Sequence, residues 1–157
     1  MASTVATQWF RSNFDIQMWD HDPDSASATL ITPDAGTTKR SVDMRKYSRF
    51  AVAAMTTVIA GAAITKLEIV AYSDSALSAN ATVVKDSGTV AADAQGDWVI
   101  EECSAEELSK LSDTAGADLR YLAGRITMAN SGDEAAVLYL MEPVRRYLNL
   151  TPATTIA

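Results

Sequence analysis

The stretch Ile64-Thr-Lys-Leu-Glu-Ile-Val-Ala-Tyr72 is rich in β-branched and apolar residues, and polar and apolar residues alternate from Lys66 to Ile69. Leu67 and Ile69 fall on one side of an extended chain, and Lys66 and Glu68 fall on the other. This period of two predicts a half-buried β-strand, because successive side chains of a strand point to opposite faces.

Further β-type segments lie on both sides of it, separated by turns rich in Ala, Ser, Asp and Gly. The uncharged run from Phe50 to Thr65 predicts two strands that meet at a turn around Ala60-Gly61. Residues 135–141 carry no charge, which predicts a strand covered on both faces. Other segments of this kind are Ala28–Thr32, Ala81–Val90, Trp98–Cys103 and Leu119–Met128.

One short helix is predicted at about residues 104–114. Ser104-Ala-Glu-Glu107 fits the capping box, in which a hydroxyl and a carboxylate three residues later each accept a free backbone N–H. Leu108 and Leu111 give the helix an apolar stripe, and Gly116 is a suitable stop. Its expected role is to cover one end of a sheet sandwich.

Seven to nine strands at spacings near ten residues, with one short helix, predict a mainly β protein. A chain of 157 residues is expected to form a single domain. The expected architecture is an antiparallel β-sandwich or a jelly roll, and spacing alone leaves both open. The predicted core spans residues 42–150, preceded by residues 1–41 as an N-terminal arm or the first strands, and followed by a tail at 151–157.

Four large aromatic residues near the N-terminus are the candidate partner-binding residues: Trp9, Phe10, Phe14 and Trp19. They stand in a polar segment without strong capping or sustained periodicity. Two alternatives stay open for residues 1 to about 20, a partner-binding arm separate from the core or an edge strand of the sandwich. In the first alternative, each aromatic side chain that docks on a partner buries a large apolar area; in the second, the aromatic residues belong to the domain's own core.

Charge limits the expected partners. The formal net charge of −7 argues against nucleic acid or an anionic membrane, because phosphate binding depends on clustered Lys and Arg. The N-terminus lacks the pattern of a secretory signal, and the longest uncharged run falls short of the roughly 20 residues of a membrane helix. A cytoplasmic site of folding fits the single Cys103, which excludes an intramolecular disulfide.

Residue types that carry out chemistry are sparse, so no enzymatic activity, cofactor or metal is expected. Cys103 has only the distant His21 as a possible base, which predicts a buried structural thiol. Asp20, Asp22 and Asp24 have the spacing that begins a calcium loop, but the rest of that loop is missing. Glu101, Glu102, Glu106 and Glu107 flank the helix start, where the helix dipole favours negative charge.

A series of motifs resembles small structural proteins in the virions of tailed bacteriophages. In them a Val-Asp-Met-x-x-Tyr-x-Arg motif precedes two strands, and an Ala-Glu-Glu-Leu helix and an Arg-Tyr-x-x-x-Arg strand follow in the same order. The likeness covers residues 42–147. The matching stretches are Val42-Asp-Met-Arg-Lys-Tyr-Ser-Arg-Phe50, Ile64–Tyr72 with Ser73-Asp-Ser-Ala76, Val99-Ile-Glu-Glu-Cys-Ser-Ala-Glu-Glu-Leu108, Leu119-Arg-Tyr-Leu-Ala-Gly-Arg-Ile-Thr127 and Arg145-Arg-Tyr147.

The resemblance implies a structural component of a phage particle, assembled in the host cytoplasm and located in the virion. Its implied role is that of a capsid decoration or cement protein that binds the major capsid protein or other virion proteins. A homo-oligomer such as a trimer is expected. The alternatives are a tail or head-to-tail connector component and, in another class, a carbohydrate-binding β-sandwich whose Trp9, Trp19 and Trp98 form a sugar platform.

Overall fold

A computed structural model of the chain describes residues 14–21, 28–31, 40–61 and 64–144. Within these ranges the chain forms nine strands and one helix. They are β1 Asp15–His21, β2 Thr29–Leu30, β3 Val42–Asp43, β4 Tyr47–Val58, β5 Ile64–Tyr72, β6 Thr82–Asp86, β7 Trp98–Ser104, α1 Ala105–Ala115, β8 Tyr121–Met128 and β9 Glu134–Pro143.

Two antiparallel sheets pack face to face, which confirms the mainly β class. The first sheet has four strands in the order β1-β9-β4-β7. The second has five strands, with β2-β8-β5-β6 in order and β3 also paired to β8. Strands β1 and β2 precede residue 42, so the first strands of the sandwich come from the N-terminal part of the chain.

The strand order distinguishes between the two predicted architectures. The chain pairs in a nested way: β1 with β9, β2 and β3 with β8, β4 with β7, and β5 with β6. These pairs alternate between the two sheets, and β4·β9 and β5·β8 join them within each sheet. A long hairpin rolled up in this manner is a jelly roll, one form of β-sandwich.

The core lies between the sheets and is centred on Tyr139. Its ring packs edge-on against Phe50, with ring centroids 4.8 Å apart. Its hydroxyl accepts a hydrogen bond from the backbone N–H of Gly124 at 2.6 Å. A Cβ at Gly124 would lie 2.7 Å from Ile31 Cδ1, so glycine stands here because the two sheets approach closely.

Helix α1 begins and ends where the sequence predicts. Ser104 is the N-cap, both hydrogen bonds of the capping box to Glu107 are present, and Gly116 closes the helix with a left-handed backbone at φ 63°. Leu108 is buried in the main core. The helix thereby covers the edge of the sandwich near β4, β6 and β7.

Two burial predictions are wrong. Strand β5 is buried on both faces, not one, because Val70 and Tyr72 pack under Leu77 in a second apolar cluster and Glu68 is also buried. Strand β9 has only one fully buried face within the described part of the chain. Leu138 is half-buried there, so the uncharged sequence of β9 does not reflect cover on both sides.

Candidate interaction surface

The four predicted aromatic residues do not form one described site. Trp9 and Phe10 lie outside the described residues, and Phe14 lies just before β1. Trp19 lies in β1, an edge strand paired with β9, and its side chain faces the interior. Its ring packs edge-on against Tyr139 at 4.8 Å between centroids, which makes Trp19 part of the domain's own core.

Trp98 lies on the opposite side of the same sheet. It begins β7, its Cα partner in β4 is Met55, and 61% of its surface is exposed. Trp19 and Trp98 therefore point away from each other across the sheet. Within the described part of the chain, these two residues do not make the sugar platform that the carbohydrate-binding alternative requires.

Around Trp98 the outer surface of the four-stranded sheet is apolar. Met18 in β1 is 75% exposed and Ile100 in β7 is 59% exposed. Between them, β9 and β4 present leucine, methionine and alanine side chains, which are half-buried except for the buried Ala53. We call this surface the apolar face; it consists of Ile16, Met18, Ala51, Ala53, Met55, Trp98, Ile100, Ala136, Leu138 and Leu140.

Strand register aligns these residues in rows across the sheet. Met18 pairs with Leu138, Leu138 with Ala53, and Ala53 with Ile100, so one row of apolar side chains crosses all four strands. Residues directly opposite each other on paired strands share a face. The row beside it runs through Asp20, Ala136, Met55 and Trp98, and the row on the other side through Ile16, Leu140, Ala51 and Glu102.

A shallow depression lies in the middle of the apolar face. Its volume is about 90 Å³, and its lining includes Met18, Met55, Trp98 and Leu138. Ala53 and Ala136 also line it, and their small side chains leave the space between the larger ones. The depression has the size of one aliphatic side chain, not of a drug-sized ligand, which usually occupies several hundred Å³.

Charged residues surround the apolar face. Arg49 and Glu142 are paired in register at one end of β4 and β9, and Glu134 lies at the other end of β9. Asp20 and Glu102 lie on the two outer strands. An apolar centre with a polar rim is the usual composition of a protein–protein interface.

The outer surface of the five-stranded sheet is built differently. Glu68 is buried and accepts hydrogen bonds from Arg125 Nε at 2.6 Å and Lys66 Nζ at 2.9 Å. The Arg125 guanidinium, more than the Lys66 ammonium, holds the pKa of Glu68 below its ordinary value. Beside this ion pair, Leu77 packs over Val70. The chain covers this surface with its own residues.

The motifs that resemble phage virion proteins have structural roles. Arg120 of the Arg-Tyr-x-x-x-Arg strand donates to Asp43 of the Val-Asp-Met motif, with Nε–Oδ1 at 2.7 Å, and this contact lowers the pKa of Asp43. The second arginine of that strand, Arg125, holds Glu68. These two arginine contacts join neighbouring strands of the five-stranded sheet, whereas Ile100 of the Val99–Leu108 stretch belongs to the apolar face.

The acidic residues near the helix also have a structural explanation. Glu107 accepts hydrogen bonds from the Ser104 backbone N–H and from Lys85 Nζ, the latter at 2.6 Å. The Lys85 ammonium is the main reason that the pKa of Glu107 falls to about 2. A carboxylate held ionised in a cap stabilises the helix start.

Cys103 is buried, as predicted. It is 1% exposed, and burial raises the pKa of its thiol to about 11, with the negative charge of Glu107 adding to the effect. A thiol in this state stays protonated at neutral pH, whereas the nucleophile in catalysis is the thiolate. His21 lies in β1, where its Nε2 is 3.3 Å from Thr29 Oγ1.

Within residues 14–21, 28–31, 40–61 and 64–144, no group of three or more His, Cys, Asp or Glu side chains is arranged to hold a metal ion. Asp22 and Asp24 of the acidic spacing fall outside these ranges. The one helix that is described is too short and too polar to cross a membrane.

No protein-family model matches the chain, and no curated protein matches it. Among solved structures, the chain is similar to the SPBc2 prophage-derived protein YomS, with 7% sequence identity and a TM-score of 0.43. The match covers 82% of this chain and 95% of YomS. A likeness at this level carries no functional inference.

Proposed function

We propose that this chain is a non-enzymatic structural protein of a tailed bacteriophage, a decoration or cement protein that binds the outer capsid lattice and stabilises the head. The observation that supports the proposal is the apolar face, because an exposed apolar patch with a polar rim on a folded domain is typical of a surface that binds another protein. The motif order that resembles phage virion proteins supplies the phage context. The partners are the major capsid protein and further copies of this chain, and the protein resides in the virion.

The jelly roll itself does not decide between the alternatives, because this fold occurs both in viral capsid proteins and in lectins. The opposite orientation of Trp19 and Trp98 weighs against a sugar platform. The depression between Met18, Met55 and Trp98 offers apolar groups, whereas a sugar site also needs polar groups that fix the hydroxyls. These features favour protein binding.

Reconstitution tests the proposal. Purified protein is added to phage heads that lack it and, separately, to isolated tails, and bound protein is measured by co-sedimentation. We expect saturable binding to heads and an increase in the temperature at which the heads release DNA. Binding to tails alone would instead support the connector alternative, and binding to neither would refute a structural role in the particle.

A further inference from the structure

We infer that the apolar face is a homodimer interface, on which a second copy of this chain packs its own apolar face about a two-fold axis. The inference rests on the proposed function only in taking this face as a protein-binding surface. It goes further by assigning the occupant, the symmetry and the contacts. Each of these follows from how large, small and charged residues are distributed over the two central strands, β4 and β9.

The two central strands carry side chains of opposite size in each row. Wherever β9 presents a leucine, β4 presents an alanine, and where β4 presents methionine, β9 presents an alanine. Each row therefore has a ridge on one side of the midline and a hollow on the other, and the ridge changes from β9 to β4 at the row of Met55. The three cross-strand pairs are Ala51 with Leu140, Ala53 with Leu138, and Met55 with Ala136.

A two-fold axis that runs along the midline between β4 and β9, parallel to the strands, makes this pattern self-complementary. It places β4 of one copy opposite β9 of the other, and each row of one copy lies over the same row of the other. Leu138 of one copy then faces Ala53 of the other, where the depression lies. Sheets pack face to face about 10 Å apart and within about 30° of each other, which this axis permits.

Charge agrees with the same axis. Arg49 and Glu142 end the two central strands in one row, so the axis brings Arg49 of each copy opposite Glu142 of the other. An isologous interface repeats each contact twice, and both copies of this contact are attractive. With a two-fold axis perpendicular to the strands, Arg49 would instead face the opposite end of the partner's strand and these charges would not meet.

The outer strands complete the interface. The axis places β1 opposite β7, so Met18 faces Ile100, and these are two of the most exposed apolar side chains of the described residues. Asp20 and Glu102 fall at the rim, where water screens their charge. Met18 and Ile100 therefore bury each other, and Trp98 of each copy lies beside Asp20 of the other at the rim.

The size of the face predicts a weak dimer. Four strands about 4.8 Å apart and seven residues long cover a rectangle on the order of 400 Å². A standard stable interface buries about 800 Å² on each partner, so this smaller face is expected to form a weak, transient dimer. A dimer, even a weak one, carries two copies of any surface that binds the particle. Once the first copy is bound, the second binds at high effective concentration.

Analytical ultracentrifugation from micromolar to millimolar protein tests the interface. We expect the wild type to shift from monomer to dimer, and Leu138→Asp to remain a monomer at least tenfold beyond the wild-type midpoint. Val83→Asp is the matched control, since Val83 is 41% exposed on the other sheet. Circular dichroism shows that each variant is folded. A monomeric wild type, or a control as monomeric as Leu138→Asp, would overturn the inference.

A charge exchange between chains identifies the axis. Arg49→Glu and Glu142→Arg each place like charges opposite each other in a homodimer, so each variant alone should associate less than the wild type. Mixing the two variants restores opposite charges across the axis and should restore association. Effects within one chain cannot produce this recovery, because each chain in the mixture is unchanged. Without recovery, the proposed axis is wrong.

The particle experiment separates this inference from the proposed function. If the protein dimerises as described but binds no phage head, the interface stands and the decoration role fails. If the wild type stays monomeric while Leu138→Asp loses binding to heads, the decoration role stands and the capsid protein, not a second copy, occupies the face. If Leu138→Asp still dimerises and still binds phage heads as the wild type does, the apolar face serves neither purpose, and both proposals for this surface are refuted.

Discussion

The outer faces of the two sheets differ in what covers them. On the five-stranded sheet, Leu77 packs over Val70 and Tyr72, and the Glu68–Arg125 ion pair is held beside them. On the four-stranded sheet, Met18 and Ile100 remain more than half exposed. The covered outer face of the five-stranded sheet therefore contributes to the stability of the domain. The apolar face of the four-stranded sheet stays in contact with solvent, so its burial can drive association with another molecule.

The largest effect is expected from uncovering the closed face. Leu77→Ala removes the side chain that packs over Val70 and Tyr72, and we expect a loss of about 3 kcal/mol in the free energy of unfolding, as for other buried leucines. Chemical denaturation measures it. The dimer midpoint should change little among molecules that remain folded, because Leu77 lies on the other sheet.

A smaller loss is expected from Glu68→Gln, which keeps the shape of the side chain but removes the charge that holds Arg125 and Lys66. Because these cations are partly exposed, we expect about 2 kcal/mol, below the full cost of breaking a buried ion pair. Glu102→Gln, at the rim of the apolar face, is the control and should change stability by less than about 0.5 kcal/mol. Equal effects of the two substitutions would remove the contrast between the faces.

Acid should weaken the closed face. The folded-state pKa of Glu68 lies below its ordinary value of 4.5, so its contribution to stability is complete above that value and is lost as the pH falls through the lowered pKa. We expect stability to decrease from about pH 5 downward, with a shallower decrease for Glu68→Gln. Thermal unfolding over this range measures the slopes; parallel slopes would contradict the assignment.

The smallest effect on stability is expected on the open face. Trp98→Ala removes a side chain that is 61% exposed, so the free energy of unfolding should change by no more than about 0.5 kcal/mol. Self-association should nevertheless weaken, since Trp98 lines the depression. Denaturation and ultracentrifugation of the same sample compare the two quantities. A large stability loss with unchanged association would reverse the roles assigned to the two faces.

Much of the local structure is determined by sequence alone. Ser104 and Glu107 lie three residues apart and satisfy each other's backbone groups, so the start of α1 needs no distant contact. The alternation in β5 and the run without charges in β9 likewise specify extended chain. The sequence shows the Arg-Tyr-x-x-x-Arg motif of β8, but it does not indicate that its two arginines form ion pairs with Asp43 and Glu68.

Only the tertiary structure decided which strand faces are covered. Periodicity shows which residues share a face, but the cover over β5 comes from Leu77 and Arg125, and the open side of β9 results from its place in the four-stranded sheet. Gly124 likewise depends on Ile31, which directly follows β2, and on Tyr139 in β9. Strand and helix patterns arise from neighbours along the chain. Whether a strand face is covered, how closely the two sheets approach and which surface stays exposed depend on segments that are far apart in sequence.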